Sequence, residues 1–216
     1  MRIATAVWRS VSEDGLLLTV RRSLGSILRG LRSAVVARQV GARRLSIGRD
    51  TTIRGLKHIR IGERFTAGDG LWLEAITNYQ GQHFKPQIII GNSVNVSNWS
   101  HIAATNRVEI GDGTLIGSKV IIIDHNHGIY SGQSCSPPGV APGERPLSCD
   151  RGVIIGRNVW LADGVLVLPG AIIGEGAIVG GNSVVRGTIP PFSMVAGSPA
   201  KIIKIYDFET KGWVNP

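Results

Sequence analysis

Cysteine is scarce: the 216 residues hold 2, Cys135 and Cys149. That excludes a small disulfide-stapled scaffold. The two flank one loop, and they read either as free thiols of a reducing compartment or as one pair. No run of about 18 apolar residues occurs, so no segment is expected to span a bilayer. The N-terminus lacks an apolar core with a cleavage site, which leaves no secretory leader and a cytoplasmic expectation. Acidic residues are rare at the front of the chain. Residues 1–60 hold 13 of the 24 Lys and Arg but 3 of the 15 Asp and Glu, a charge of +10 against −1 for the rest. The net charge of +9 therefore belongs to one segment, and it does not mark the main domain as a nucleic-acid binder.

What is present is a repeat. Hydrophobic residues make up 43% and Gly numbers 29, as in a turn-rich globular β structure. From Ile155 an aliphatic residue recurs every six positions: Leu161, Val167, Ile173, Val179, Val185. Four places after each stands a small or β-branched residue, at Val159, Val165, Ala171, Ala177, Ser183 and Ile189. The same phase runs through Ile90, Val96 and Ile102 and, after a two-residue slip, through Ile110, Ile116 and Ile122; a rougher version covers Ile47, Ile53 and Ile61. An amphipathic helix repeats at 3.6 and a surface strand at 2. A period of six predicts a triangular coil of three short strands, stacked so that each coil pairs its backbone with the next.

Three segments break the repeat. Residues 1–45 have no hexad. Leu17, Val20, Leu24, Ile27, Leu28, Leu31 and Val35 fall there at helical spacing, with Arg21, Arg22, Arg29 and Arg32 between them. This predicts one basic amphipathic helix. Two readings stay open for it. It caps the open end of the coil stack or packs between subunits, or it docks on the anionic inner leaflet of a membrane. Residues 74–89 read as a loop. Residues 128–152 carry 4 of the 10 prolines and read as an extruded, functional loop. The division is thus a helical segment at 1–45, a β-helix at 46–205 and a tail at 206–216.

The densest cluster of titratable residues precedes the second loop: Asp124, His125 and His127 in the run Asp-His-Asn-His-Gly. A neutral imidazole there is suited to take a proton from an acceptor hydroxyl. The cluster also reads as plain polar corner residues, or as half of a metal site. A metal needs three or four ligands, and His58, His83 and His101 are isolated; each reads as a surface or packing residue.

The hexads, the His-Asn-His-Gly segment with its loop, the run from Val153 to Val185, and the ending IPPFSMVAGSPAKII resemble the hexapeptide-repeat O-acetyltransferases over about residues 45–205. The subgroup it most resembles works in capsule, exopolysaccharide and O-antigen biosynthesis. The chain is also similar to the maltose and galactoside acetyltransferases. The resemblance implies a left-handed parallel β-helix, a homotrimer with sites between subunits, and acetyl-CoA as donor without a metal. It implies a saccharide acceptor, lipid-linked where the enzyme sits peripherally at the inner membrane. The family's catalytic histidine is the sixth residue of a hexad, which places it at His127, with Asp124 and His125 as neighbours that orient it. Family CoA contacts match Trp160, Asp163, Gly180, Gly181, Arg186, Lys201 and Lys204. Small glycines would admit a thin pantetheine arm, and the cations would meet phosphates. Trp160 also reads as corner packing, and the Gly-Ser-Pro-Ala-Lys stretch as an exit turn. The acceptor-binding Asn and Asp of the relatives are replaced at Ser97 and Thr105; Asn98, Trp99, Asn106 and Tyr130 are the candidates to hold the acceptor instead.

The function so implied is acetyl transfer from acetyl-CoA to a sugar hydroxyl. Alternatives are N-acetylation of an amino-sugar nucleotide, or a non-catalytic β-helix acting as a scaffold or a carbonic-anhydrase-like metalloprotein.

Overall fold

The computed structural model describes residues 12, 15–148 and 151–216. Of the two cysteines, Cys135 is a free, exposed thiol; Cys149 lies outside the described residues. The front of the 1–45 segment, residues 1–11, 13 and 14, lies outside them as well.

The hexads form six coils of a left-handed parallel β-helix with three flat faces. Leu45–Ile47, Thr52–Arg54 and Ile59–Ile61 make the first coil, one strand on each of faces I, II and III. The second follows as Phe65–Ala67, Trp72–Ala75 and Gln87–Ile90, and the third as Asn95–Val96, His101–Ala104 and Arg107–Ile110. The fourth is Leu115–Ile116, Ile121–Ile123 and Val153–Ile155. Trp160–Leu161, Leu166–Val167 and Ile172–Ile173 make the fifth; Ile178–Val179, Val184–Val185 and Thr188–Ile189 close the sixth. The strands of these six coils are parallel and in register on each face, as in Ile102 beside Ile122 and Ile122 beside Val167.

The period follows from the geometry of each hexad. One aliphatic points inward from the strand and the small residue four places on fills the corner, so Ile122, Leu161, Val165, Val167 and Ala171 are all fully buried. Burying each large aliphatic contributes about 1.5–3 kcal/mol. At most corners the chain then turns through the left-handed backbone region. Between faces I and II that position is Asp50, Gly70, Trp99, Lys119, Gly164 and Asn182 in successive coils, all with φ between 53° and 72°. Trp99 there is unusual for so bulky a residue. It fits because Gly70 beneath has no Cβ: one built there would meet the indole at 2.0 Å.

The structure amends several expectations. Ile189 departs from the series of residues four places after each aliphatic, whose other members fill corners. It pairs with Ile173 as the inward residue of face III, because the corner at Arg186–Gly187 is two residues short. The loop expected at 74–89 is shorter, since Trp72–Ala75 and Gln87–Ile90 belong to the coil and only the residues between them leave it. Within that excursion Asn78–Tyr79 and Gln82–His83 form a small hairpin. The end of the chain continues face I: Ser193–Gly197 pairs antiparallel with Ala200–Asp207, which pairs with Gly212–Val214.

Helix α1, Leu16–Val40, ends at Gly41 in the left-handed conformation, whose N–H reaches Ala37 O. Val36, Ala37 and Val40 are buried against the first coil. Ser33 Oγ accepts from Ile47 N at 3.1 Å, and Arg32 donates to Thr51 O. The last turns of the helix therefore cover the open end of the stack, where unpaired strands would otherwise face water. Val20, Ile27, Leu28, Leu31 and Val35 remain 48–66% exposed. Among the described residues no helix is long and apolar enough to cross a membrane.

Candidate active site

Both excursions leave the coil at the same corner, between faces II and III, and they grip each other there. Gln82 acts like a strand partner: Leu147 N donates to Gln82 Oε1 at 2.7 Å and Gln82 Nε2 donates to Leu147 O at 3.2 Å. Gln80 Nε2 donates to Gly143 O at 3.0 Å. Asn126–His127 pairs antiparallel with Leu147–Ser148 at the stem of the larger loop.

His127 stands at this junction, exposed, with its Nδ1 3.1 Å from Tyr79 Oη. Tyr79 Oη also lies 2.7 Å from Gly143 O. A carbonyl oxygen only accepts, so the single phenolic proton goes to Gly143. The phenolic oxygen is then left to accept from His127 Nδ1–H, which puts the lone pair of a neutral ring on Nε2. Tyr79 also meets the ring edge-on, centroids 5.2 Å apart. The backbone carbonyl of His127 receives Tyr130 Oη–H, and Tyr130 Oη accepts from Arg145 Nη1 at 3.0 Å. Tyr79 was missed in the sequence. It lies 48 residues from His127 in a stretch with no repeat, and nothing local marked it.

Asp124 and His125 have a different setting. Asp124 is fully buried. Its carboxylate accepts from Thr105 N at 2.8 Å, Thr105 Oγ1 at 3.2 Å, Asn106 N at 2.7 Å, Arg107 N at 2.8 Å and His125 Nδ1 at 3.0 Å. Burial pushes this carboxyl up, but the hydrogen bond from His125 and those from the 105–106 backbone outweigh it, and the net direction is down. Asp124 thus ties the corner of the third coil to the fourth and orients His125; no hydrogen bond to His127 is among its contacts. His101 packs on face II, its ring stacked 4.4 Å from that of Trp72. Burial pushes its imidazole down, only partly opposed by Glu74.

The residues matched to CoA contacts fall in two places. Arg186 shares the corner between faces II and III with His127. It lines a cavity of about 360 Å³ there with Asn126, Ser148, Arg151 and Gly170. The others lie one face away. Trp160, 47% exposed, sits outward on face I in a row that continues through Ile178 and Met194 to Lys204. Gly180, Gly181, Asp163 and Lys201 gather at the corner between faces I and II. Asp163 Oδ1 accepts from Ser118 N at 2.6 Å and so also holds a corner. In one chain the two groups are separated by the width of face II.

The acceptor candidates divide likewise. Ser97, Asn98 and Trp99 lie at the corner between faces I and II, where Asn98 Oδ1 accepts from Asp69 N at 2.8 Å. Trp99 is 58% exposed. Asn106 and Tyr130 lie on the His127 side. Among the described residues no group of three metal-ligating side chains converges.

Residues 152–187 match the family of bacterial transferase hexapeptide (six repeats). A protein named for O-acetyl transfer in lipopolysaccharide biosynthesis, WbbJ of Escherichia coli (strain K12), is 42% identical over 162 residues, 74% of this chain and 79% of that one. Among solved structures, AntD, an N-acyltransferase from Bacillus cereus in complex with dTDP and 3-hydroxybutyryl-CoA, superposes with a TM-score of 0.62 at 19% identity. The match covers 78% of this chain and 84% of AntD. A hexapeptide-repeat acetyltransferase of Vibrio cholerae in complex with acetyl-CoA gives a TM-score of 0.50 at 21% identity, covering 82% and 78%.

Proposed function

This chain belongs to the hexapeptide-repeat acetyltransferases, and on that premise we propose that it moves the acetyl group of acetyl-CoA to a sugar hydroxyl, with His127 as general base. The observation that carries the assignment of the base is the Gly143–Tyr79–His127 chain of hydrogen bonds on an exposed histidine, which puts the lone pair of the neutral ring on Nε2. His127 Nε2 takes the hydroxyl proton as the oxygen attacks the thioester carbonyl. The C–S bond then breaks, and the imidazolium returns its proton to the leaving thiolate. The balance closes with one O-acetyl sugar and one CoA thiol, and neither cysteine is needed as a nucleophile.

The separation of the donor residues supports a homotrimer. About a three-fold axis facing face II, the Trp160–Lys204 side of one copy would meet the His127 corner of the next. CoA would then run between copies. Arg186 and Arg151 of one would stand beside Lys201, Lys204 and the close-approach glycines Gly180 and Gly181 of the other. Trp99, held in a left-handed conformation and exposed, would reach the neighbour's site as an acceptor platform, since such strain concentrates at functional positions. The exposed apolar residues of α1, with Arg29, Arg32, Arg38, Arg43 and Arg44 on or beside it, suit docking on an anionic bilayer.

The deciding experiment is turnover of acetyl-CoA against a panel of glycosides and amino sugars, with free thiol measured and the product mapped. Ester formation lost in His127→Ala supports the reading, whereas amide formation on amino sugars would replace it with N-acetylation. A sedimentation mass near the 23.1 kDa of one chain would refute the shared site.

A further inference from the structure

At the capped end of face III lies a cavity of about 470 Å³ that the reaction as described leaves unused. Lys57, His58, Arg60 and Lys85 line it, together with Pro86 and Ile89. No carboxylate lines it, and among the described residues none of these cations forms an ion pair. Arg60 Nη1 bonds only to carbonyls of its own strand region, Lys57 O at 3.4 Å and Ile59 O at 3.2 Å. Three uncompensated cations around one apolar-walled hollow repel one another and are matched by an anion with several acceptor oxygens. Phosphate esters have that chemistry, and an apolar or aromatic group beyond the phosphate would fit Pro86 and Ile89.

The position gives the cavity its meaning. Lys57 and Lys85 sit at the corner between faces II and III, the same corner from which the His127 loop departs. Lys85 belongs to the excursion that brings Tyr79 to His127. The coils of Lys85 and Lys57 lie two and three steps from that of His127, about 10–15 Å at the strand spacing of about 4.8 Å. A hexose bearing a diphosphate at its anomeric carbon is of that length. The cation-lined cavity beside Arg186 and Arg151 lies on the opposite side of His127 along the stack.

We propose that the cavity formed by Lys57, Arg60 and Lys85 binds the diphosphate of the acceptor, so that the acceptor is a glycosyl diphosphate ester whose sugar hydroxyl reaches His127. The assignment rests on the acetyl-transfer reading. It leaves two sources of the same group, a polyprenyl diphosphate and a nucleoside diphosphate.

The test is calorimetric binding of geranyl diphosphate and of uridine diphosphate to the full chain. CoA is kept saturating, so that its own phosphate site is filled; the CoA titration itself tests the donor reading separately. Wild type should bind at least one diphosphate. The triple variant Lys57→Ala/Arg60→Ala/Lys85→Ala and the single Lys85→Glu should bind it at least tenfold more weakly, with CoA binding unchanged. Preference for geranyl diphosphate identifies a lipid-linked acceptor, and preference for uridine diphosphate a nucleotide-linked one. The proposal is overturned if wild type binds neither, or if the variants bind as wild type does. All three side chains are exposed, and Lys85→Glu on its own gives the answer if the triple variant misfolds.

Discussion

His125 and His127 are two residues apart and belong to different parts of the molecule. His125 closes the regular coil: it is buried, its Nδ1 is committed to Asp124, and its neighbourhood is a corner held by backbone amides. His127 belongs to the junction of two excursions, where it is exposed and its side chain meets a phenol from a distant segment. The same imidazole is a structural tie in one setting and is available for proton transfer in the other. Both rings are tied through Nδ1; the difference lies in the partner, a buried carboxylate against a phenol, and in the exposure of the ring.

The sharpest break of this contrast is a pair of alanine substitutions. His127→Ala should lower kcat by about 10²–10⁴ with little change in melting or in CoA affinity, as expected for a lost general base. His125→Ala should lower the melting temperature and reduce kcat much less. Steady-state kinetics and calorimetry on both variants would expose a reversed pattern, which would transfer the base to His125.

Asp124→Asn comes next in size. An amide presents an N–H₂ to donors that need an acceptor, so the buried corner should lose about 2–3 kcal/mol of stability. The sign with pH follows from the lowered carboxyl. Its folded value lies below the ordinary 3.8. Its contribution is therefore fully present above that ordinary value and is lost as pH falls through the depressed folded value. Acid titration of unfolding should show this limb in wild type and lack it in Asp124→Asn; identical acid limbs would remove Asp124 from the account.

Tyr79→Phe keeps the ring and removes the acceptor for His127 Nδ1–H. The expected loss is about 1 kcal/mol, roughly five- to tenfold in kcat, with KM for acetyl-CoA and the fold unchanged and with an altered pH profile of kcat. A profile superimposable on wild type would mean that the tautomer is set by something else.

The smallest effect expected concerns α1. A chain starting near Leu45 should co-sediment less than the full chain with anionic vesicles and equally with neutral ones. Equal recovery of both with anionic vesicles ends the membrane proposal. Loss of assembly on truncation would assign the helix to capping alone.

The fold was legible because every unit of a β-helix is local. Each hexad carries its own inward aliphatic, its small corner residue and its turn, and stacking repeats the same contact. The legible part of the candidate site had the same origin: His127 could be counted from Ile110 because the coils up to Ile122 keep register. Register was lost where corners change length without a composition signal, as at Arg186–Gly187 and in the strands hidden inside 74–89. The use of Asp124 was equally unreadable, since its five hydrogen bonds come mostly from a corner about 18 residues earlier.

By itself, then, the sequence determined a stacked three-faced coil, a basic N-terminal helix, and a histidine at the mouth of an extruded loop, because each is written in short-range spacing. Only the tertiary structure decided that the two excursions interlock and that Tyr79 and Gly143 orient His127. It alone placed Lys57, Arg60 and Lys85 around one cavity. Those contacts join segments with no common period, across separations set by the number of coils between them rather than by any local pattern of residues.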